Sequence, residues 1–141
     1  MRNNTRFSKT EVSIVAAVLT VLAVAVIPQF SQANTDDRLN TLCGNLQLVR
    51  SQLSLYRVQH EEQWPRQATF ADQLTGRTNV KGSTDVADGV LVFGPYLKSV
   101  PANPFTGGNA VNGGDWTYDE TNGTFSAADG GQTKGVIHGN L

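Results

Sequence analysis

The sequence predicts an α+β fold. A long N-terminal helix, kinked and with a transmembrane first half, packs on a small antiparallel β-sheet domain with a large loop region. Three observations carry this expectation. An uncharged apolar run extends from Val12 to Ile27, a helical stripe of large apolar residues follows it, and alternating aromatic residues flank an Asn-Gly turn near the C-terminus.

In the apolar run only Ser13 and Thr20 are polar. As a helix it rises about 24 Å, and extension to Phe30 brings it near the lower limit for spanning a bilayer. Arg2, Arg6 and Lys9 precede it and predict a cytoplasmic N-terminus. The chain is therefore expected to be a single-pass protein of the inner (cytoplasmic) membrane, with its C-terminal domain periplasmic or extracytoplasmic. Two readings compete for the segment. It is either a cleavable secretory signal ending at Ser31-Gln32-Ala33, with Pro28 breaking the helix before the site, or a retained functional helix. Glu11 discriminates between them. An acidic residue heading an apolar run disfavours insertion unless a partner such as a free α-amino group neutralises it.

The second stretch reads as an amphipathic helix over residues 34–62. Leu39, Leu42, Leu46, Val49, Leu53 and Tyr56 recur at spacings of 3, 4, 3, 4 and 3, one continuous helical stripe. Asp36 and Asp37 suit its N-terminal end, and Pro65 limits it. The stripe lasts under four heptads, so packing against the chain's own sheet is favoured over a free coiled coil. Pro28 removes a backbone donor and is expected to kink or locally melt the helix near Ala23 to Val26. Gly44 is a second soft spot, costing about 1 kcal/mol relative to alanine.

Residues 63–114 form the predicted loop region. Within it Thr69 is placed to cap a short helix through Leu74, and 75–90 reads as loop. Val90 to Phe93 is either a short strand or a buried apolar lead-in to Gly94-Pro95-Tyr96-Leu97, and Pro101 and Pro104 keep the chain extended. A β-hairpin is expected over 115–127, with Trp116-Thr117-Tyr118 and Thr124-Phe125-Ser126-Ala127 flanking a turn at Asp119 to Gly123. The tail, 128–141, has Val136-Ile137 as an edge-strand candidate.

Composition narrows function. With a net charge of −1 over 141 residues there is no broad basic surface for nucleic acid. Cys43 is the single cysteine, so no internal disulfide forms, and helix packing is its expected role. His60 and His138 are far apart in sequence, neither has a neighbour at metal-ligand spacing, and His60 reads as a solvated helix end. No Gly-x-Ser-x-Gly elbow, phosphate loop or dinucleotide fingerprint is present, so no enzyme is expected.

Phe7-Ser8-Lys9-Thr10-Glu11-Val12, the apolar run and Ile27-Pro28-Gln29-Phe30 together resemble the N-terminus of type IV pilins and type II secretion pseudopilins. The likeness continues through a Tyr…Trp-Pro stretch, the Gly-Pro-Tyr-Leu…Val-Pro…Asn-Pro-Phe loop and Trp116-Thr117-Tyr118, most closely to the major pseudopilin type. It implies a leader at 1–6 cut by a prepilin peptidase between Arg6 and Phe7, methylation of the new N-terminus, and an assembly helix over 7–33. In that helix Glu11 aligns subunits and Pro28 marks the kink. A soluble pilin-like domain over 34–141 follows. Two positions depart from the family pattern, Arg6 standing for a glycine and Lys9 for an apolar residue. The implied function is a structural subunit of a pseudopilus or pilus-like filament in type II secretion. Its partners would be its own copies, other pseudopilins, the inner-membrane assembly machinery, the peptidase and the membrane. A secreted or membrane-anchored binding module, whose N-terminus serves only export or anchoring, is the rival. Some pseudopilins bind calcium near the C-terminus, which makes Asp115, Asp119, Glu120 and Asp129 candidate hard-oxygen ligands. The competing reading makes them ordinary turn or solvent-exposed residues. No other cofactor is implied.

Overall fold

The computed structural model describes Arg6 and residues 8–141, and within 21–33 it describes the helical backbone alone. Phe7 lies outside the described residues, as does the side chain of Pro28 with the kink expected there. The chain divides into two compact units, 1–37 and 38–141. Helix α1, Lys9–Gln59, contributes to both.

In the first unit α1 begins on a reciprocal cap. The Ser8 N–H donates to Glu11 Oε2 at 2.8 Å and the Glu11 N–H donates to Ser8 Oγ at 3.2 Å. Ser-x-x-Glu is the capping box, which satisfies donors that every helix start otherwise leaves without a partner. Among the described residues no helix is long and apolar enough to cross a membrane. The uncharged apolar run from Val12 to Ile27, about 24 Å as a helix, falls short of the ~30 Å hydrocarbon core. Lys9 and Glu11 stand exposed at its head. This corrects two expectations, the transmembrane first half of the helix and the single-pass inner-membrane localisation. The described residues form an α+β mixture of helix and small antiparallel sheets.

In the second unit the predicted stripe faces inward. Leu42, Leu46, Val49, Leu53 and Tyr56 are buried, with Leu39 partly buried beside them. They pack with Phe70 and Leu74 of α2 (Phe70–Thr75), with Leu97 and Val100, and with Trp116, Tyr118, Phe125 and Ala127. Helix α1 stops at Gln59 rather than at residue 62. Glu61 and Glu62 adopt positive φ of 54° and 63°, a left-handed geometry incompatible with helix. The Glu62 N–H then reaches back to the Arg57 carbonyl at 3.0 Å, closing the end as a C-terminal capping turn does. The Arg57 guanidinium pairs with Glu62 at 2.7 Å and lies 5.0 Å from the Trp64 ring centroid.

Thr69 occupies the N-cap position of α2, but its hydroxyl makes no capping bond. Val90 and Val92 are exposed, which corrects the buried lead-in. Phe93 instead bridges Thr78, whose N–H donates to the Phe93 carbonyl at 2.9 Å.

Strands β1 (Trp116–Asp119) and β2 (Thr124–Ala127) pair antiparallel with Trp116 opposite Ala127 and Tyr118 opposite Phe125. Trp116, Tyr118, Phe125 and Ala127 therefore share the buried face while Thr117 points outward, as the period-2 pleat requires. Gly123 closes the turn at φ 71°, and the Trp64 indole packs so closely that a Cβ there would lie 2.5 Å from the ring. Strands β3 (Gln132–Thr133) and β4 (Val136–Ile137) make a second two-stranded sheet. Buried side chains tie the long loop to the hairpin. Trp116 Nε1 donates to the Pro101 carbonyl at 2.9 Å, Tyr118 Oη to the Pro65 carbonyl at 2.7 Å, and Asn103 Nδ2 to the Asp115 carbonyl at 2.8 Å.

Candidate functional site

The first unit presents an unpartnered apolar surface. Val12, Ile14, Val15, Val18 and Leu19 are each between 53% and 60% exposed. At 100° per residue these positions fall within an arc of about 160°, one broad face of the helix. Such a surface has no partner within the described part of its own unit, and contiguous exposed apolar area marks an interaction site. Glu11 sits at its head, and Arg6, ahead of the helix, is exposed. The sequence assigned Glu11 a role in alignment and missed its capping bond, although Ser8-x-x-Glu11 is a recognisable signal.

The four carboxylates considered for calcium serve separate loops. Asp115 accepts the Thr106 hydroxyl and the Ala110 N–H, which hold its carboxyl below the usual range. Asp119 Oδ1 accepts the Thr121 N–H at 2.8 Å, and Glu120 Oε2 accepts the Gln67 N–H at 2.5 Å. Asp129 Oδ2 binds His138 Nδ1 at 2.6 Å. Among the described residues no group of three or more His, Cys, Asp or Glu side chains is placed to hold a metal ion.

His60, expected at a solvated helix end, is buried. Its ring stacks on Tyr56 with centroids 3.7 Å apart and planes 6° from parallel. A carbonyl can only accept, so Nδ1–H donates to the Tyr56 carbonyl at 2.8 Å. Nε2 then accepts the Thr78 hydroxyl, also at 2.8 Å. Burial lowers the His60 pKa below 6.5, and the same burial pushes Tyr56 up to about 12. Tyr118 is likewise raised, first by burial and then by neighbouring Glu120.

A third polar arrangement links the tail. Asp129 Oδ2 binds His138 Nδ1, and His138 Nε2 lies 2.8 Å from Thr133 Oγ1. Carboxylate, imidazole and hydroxyl in series have the connectivity of a nucleophilic triad. Yet Thr133 and His138 are 5% and 1% exposed, so the hydroxyl has no path to a substrate. The chain of bonds fastens the β3–β4 tail instead. Asp129 Oδ1 is buried and lacks a partner, a cost borne by the opposite oxygen's short bond. Nothing in the sequence pattern marked this group. A polar cleft of about 410 Å3 between Arg66 and Lys81 contains hydroxyls and amides but no histidine or cysteine.

Comparison with protein-family models, curated proteins and solved structures finds no match for this chain.

Proposed function

We propose that the protein is a structural subunit of a pseudopilus-like or type IV pilus-like filament, of the kind that serves type II secretion, assembling through the apolar opening of α1. The observation that carries this reading is the set Val12, Ile14, Val15, Val18 and Leu19, more than half exposed along one face of the helix. Burial of apolar surface between copies supplies the association energy. Glu11 supplies a negative charge to set against the positive N-terminus of a neighbouring copy. The resemblance of Phe7 to Val12 and of Ile27 to Phe30 to the pilin N-terminus supports the same reading. The partners are copies of the chain, other pseudopilins and their assembly machinery, with a prepilin peptidase acting between Arg6 and Phe7. The role is structural rather than enzymatic, in keeping with a histidine–carboxylate pair sealed from solvent.

Glu11→Gln separates charge from capping, because a glutamine oxygen still accepts the Ser8 N–H. Val15→Asp places a charge inside the apolar surface. Negative-stain microscopy and sedimentation of the full chain are expected to show filaments for the native protein, fewer for Glu11→Gln and none for Val15→Asp. A native chain that stays monomeric, or a Val15→Asp chain that assembles like the native one, refutes the reading.

A further inference from the structure

Asn-x-Ser/Thr, with any residue but proline in the middle, is the acceptor pattern for N-linked sugar. It occurs twice in the sequence. Asn3-Asn4-Thr5 lies outside the described residues. Asn122-Gly123-Thr124 forms the tip of the β1–β2 hairpin, where Thr121, Asn122 and Thr124 are exposed. Backbone bonds hold this turn. The Gly123 N–H donates to the Asp119 carbonyl at 2.9 Å, and the Trp64 ring packs against Gly123. The asparagine therefore stands on a fixed, outward turn, the surface-loop setting that an acceptor needs.

The fold uses only half of the Asn122 side chain. Its Oδ1 accepts the Thr124 N–H at 2.9 Å, an Asx turn that an aspartate would make equally well. Its Nδ2 donates to nothing among the described residues. Asn45, Asn79, Asn103, Asn109 and Asn112 differ, each donating Nδ2 to a backbone carbonyl elsewhere in the fold. The Thr124 hydroxyl likewise makes no bond among the described residues, although its N–H is fixed to the same asparagine. What the fold leaves over is the amide nitrogen and the hydroxyl, the two side-chain groups that define the motif.

We propose that Asn122 is an acceptor for N-linked sugar, transferred from a sugar pyrophosphate by a separate glycosyltransferase. Nδ2 attacks C1 of the sugar. The N–C1 bond forms as the C1–O bond to the pyrophosphate breaks, and the pyrophosphate carrier leaves with that electron pair. One proton passes from Nδ2 to a base of the transferase. The hydrogen bond into Oδ1 assists, because it draws electron density out of the amide and eases loss of that proton. A bulky, hydrated sugar on this turn keeps the hairpin tip at the surface. The site does not depend on the assembly reading above.

The test is intact-mass and peptide mass spectrometry of the full chain isolated from its native cells, with fragmentation that keeps sugars attached. Mass increments of whole sugar residues are expected on Asn122. Occupancy should fall at least tenfold in Asn122→Asp, which keeps the Asx turn, and in Thr124→Ala, while Thr124→Ser retains it. The tryptophan-monitored unfolding midpoints of the three variants report that the hairpin still folds. The donor is read by supplying unmodified full chain and native-cell extract with radiolabelled uridine-diphosphate sugar or with labelled polyprenyl-pyrophosphate sugar. Transfer to Asn122 from either carrier upholds the site and names the carrier. A native chain without sugar at Asn122, sugar on another residue alone, or conversion of Asn122 to aspartate alone overturns the inference. A Thr124→Ala chain that keeps its sugar does the same.

Discussion

Replacing His60 by glutamine tests whether its burial, rather than its place in the sequence, sets its chemistry. In the fold His60 is neutral, donating to Tyr56 and accepting from Thr78. Protonation at Nε2 removes the acceptor that the fully buried Thr78 hydroxyl uses. Desolvation lowers the folded pKa below the unfolded value of 6.5. The unfolded chain therefore binds more protons between the two values, and stability falls as pH drops from about 6.5 through the folded pKa. One proton limits this slope to about 1.4 kcal/mol per pH unit. At pH 7.5, His60→Gln should cost about 1–3 kcal/mol through the lost ring stack and an imperfectly matched Thr78. Its stability should then fall less than that of the native chain between pH 6.5 and 5.5. Urea unfolding followed by tryptophan fluorescence measures both, since Trp64 and Trp116 both lie in the second unit. His138 is present in both proteins, so the difference between them isolates His60. Equal pH slopes for the two proteins would refute the burial argument even if the variant is less stable.

Two further substitutions probe the same unit. Gly44→Ala should raise stability by about 0.5–1 kcal/mol in urea unfolding, because the site is an exposed helical position with open space for a methyl group. Asp129→Ala should lower it by about 1.5–3 kcal/mol, since the lost bond is to a charged carboxylate. The same variant should raise amide hydrogen exchange across residues 131–138, where His138 fastens β3 and β4.

The second unit's core was legible because its periodicities are local. A 3.5-residue stripe has one way to bury itself, and Leu42 through Tyr56 took it. Alternating Trp116, Tyr118, Phe125 and Ala127 around an Asn-Gly turn likewise specify a hairpin face. The readings that failed depend on contacts made elsewhere. His60-Glu61-Glu62 looks solvated in sequence, and Thr78 with the Phe93 and Tyr96 rings reveals why the histidine turns inward. Val90 to Val92 looks buried by composition, yet the side chains of Val90 and Val92 stay exposed while the backbone of Val92 and Phe93 bonds Thr78. Asp129 and His138 are nine residues apart without periodicity, so their pairing was invisible beforehand. The expected membrane span needed the run to be extended to Phe30, since the uncharged residues from Val12 to Ile27 rise about 24 Å against a ~30 Å hydrocarbon core.

Glu11 shows how a local bond alters an argument from cost. In sequence, an acid heading an apolar run demands an external partner to explain it. In the fold it already has a local role, since its carboxylate and the Ser8 hydroxyl satisfy each other's backbone donors. An acidic group in the first turn also lies favourably along the helix dipole. The presence of Glu11 therefore does not by itself require a neighbouring amine. What capping leaves unexplained is the charge, because glutamine would cap as well. An assembly role for Glu11 must reside in that charge, and the glutamine substitution removes it while keeping the cap.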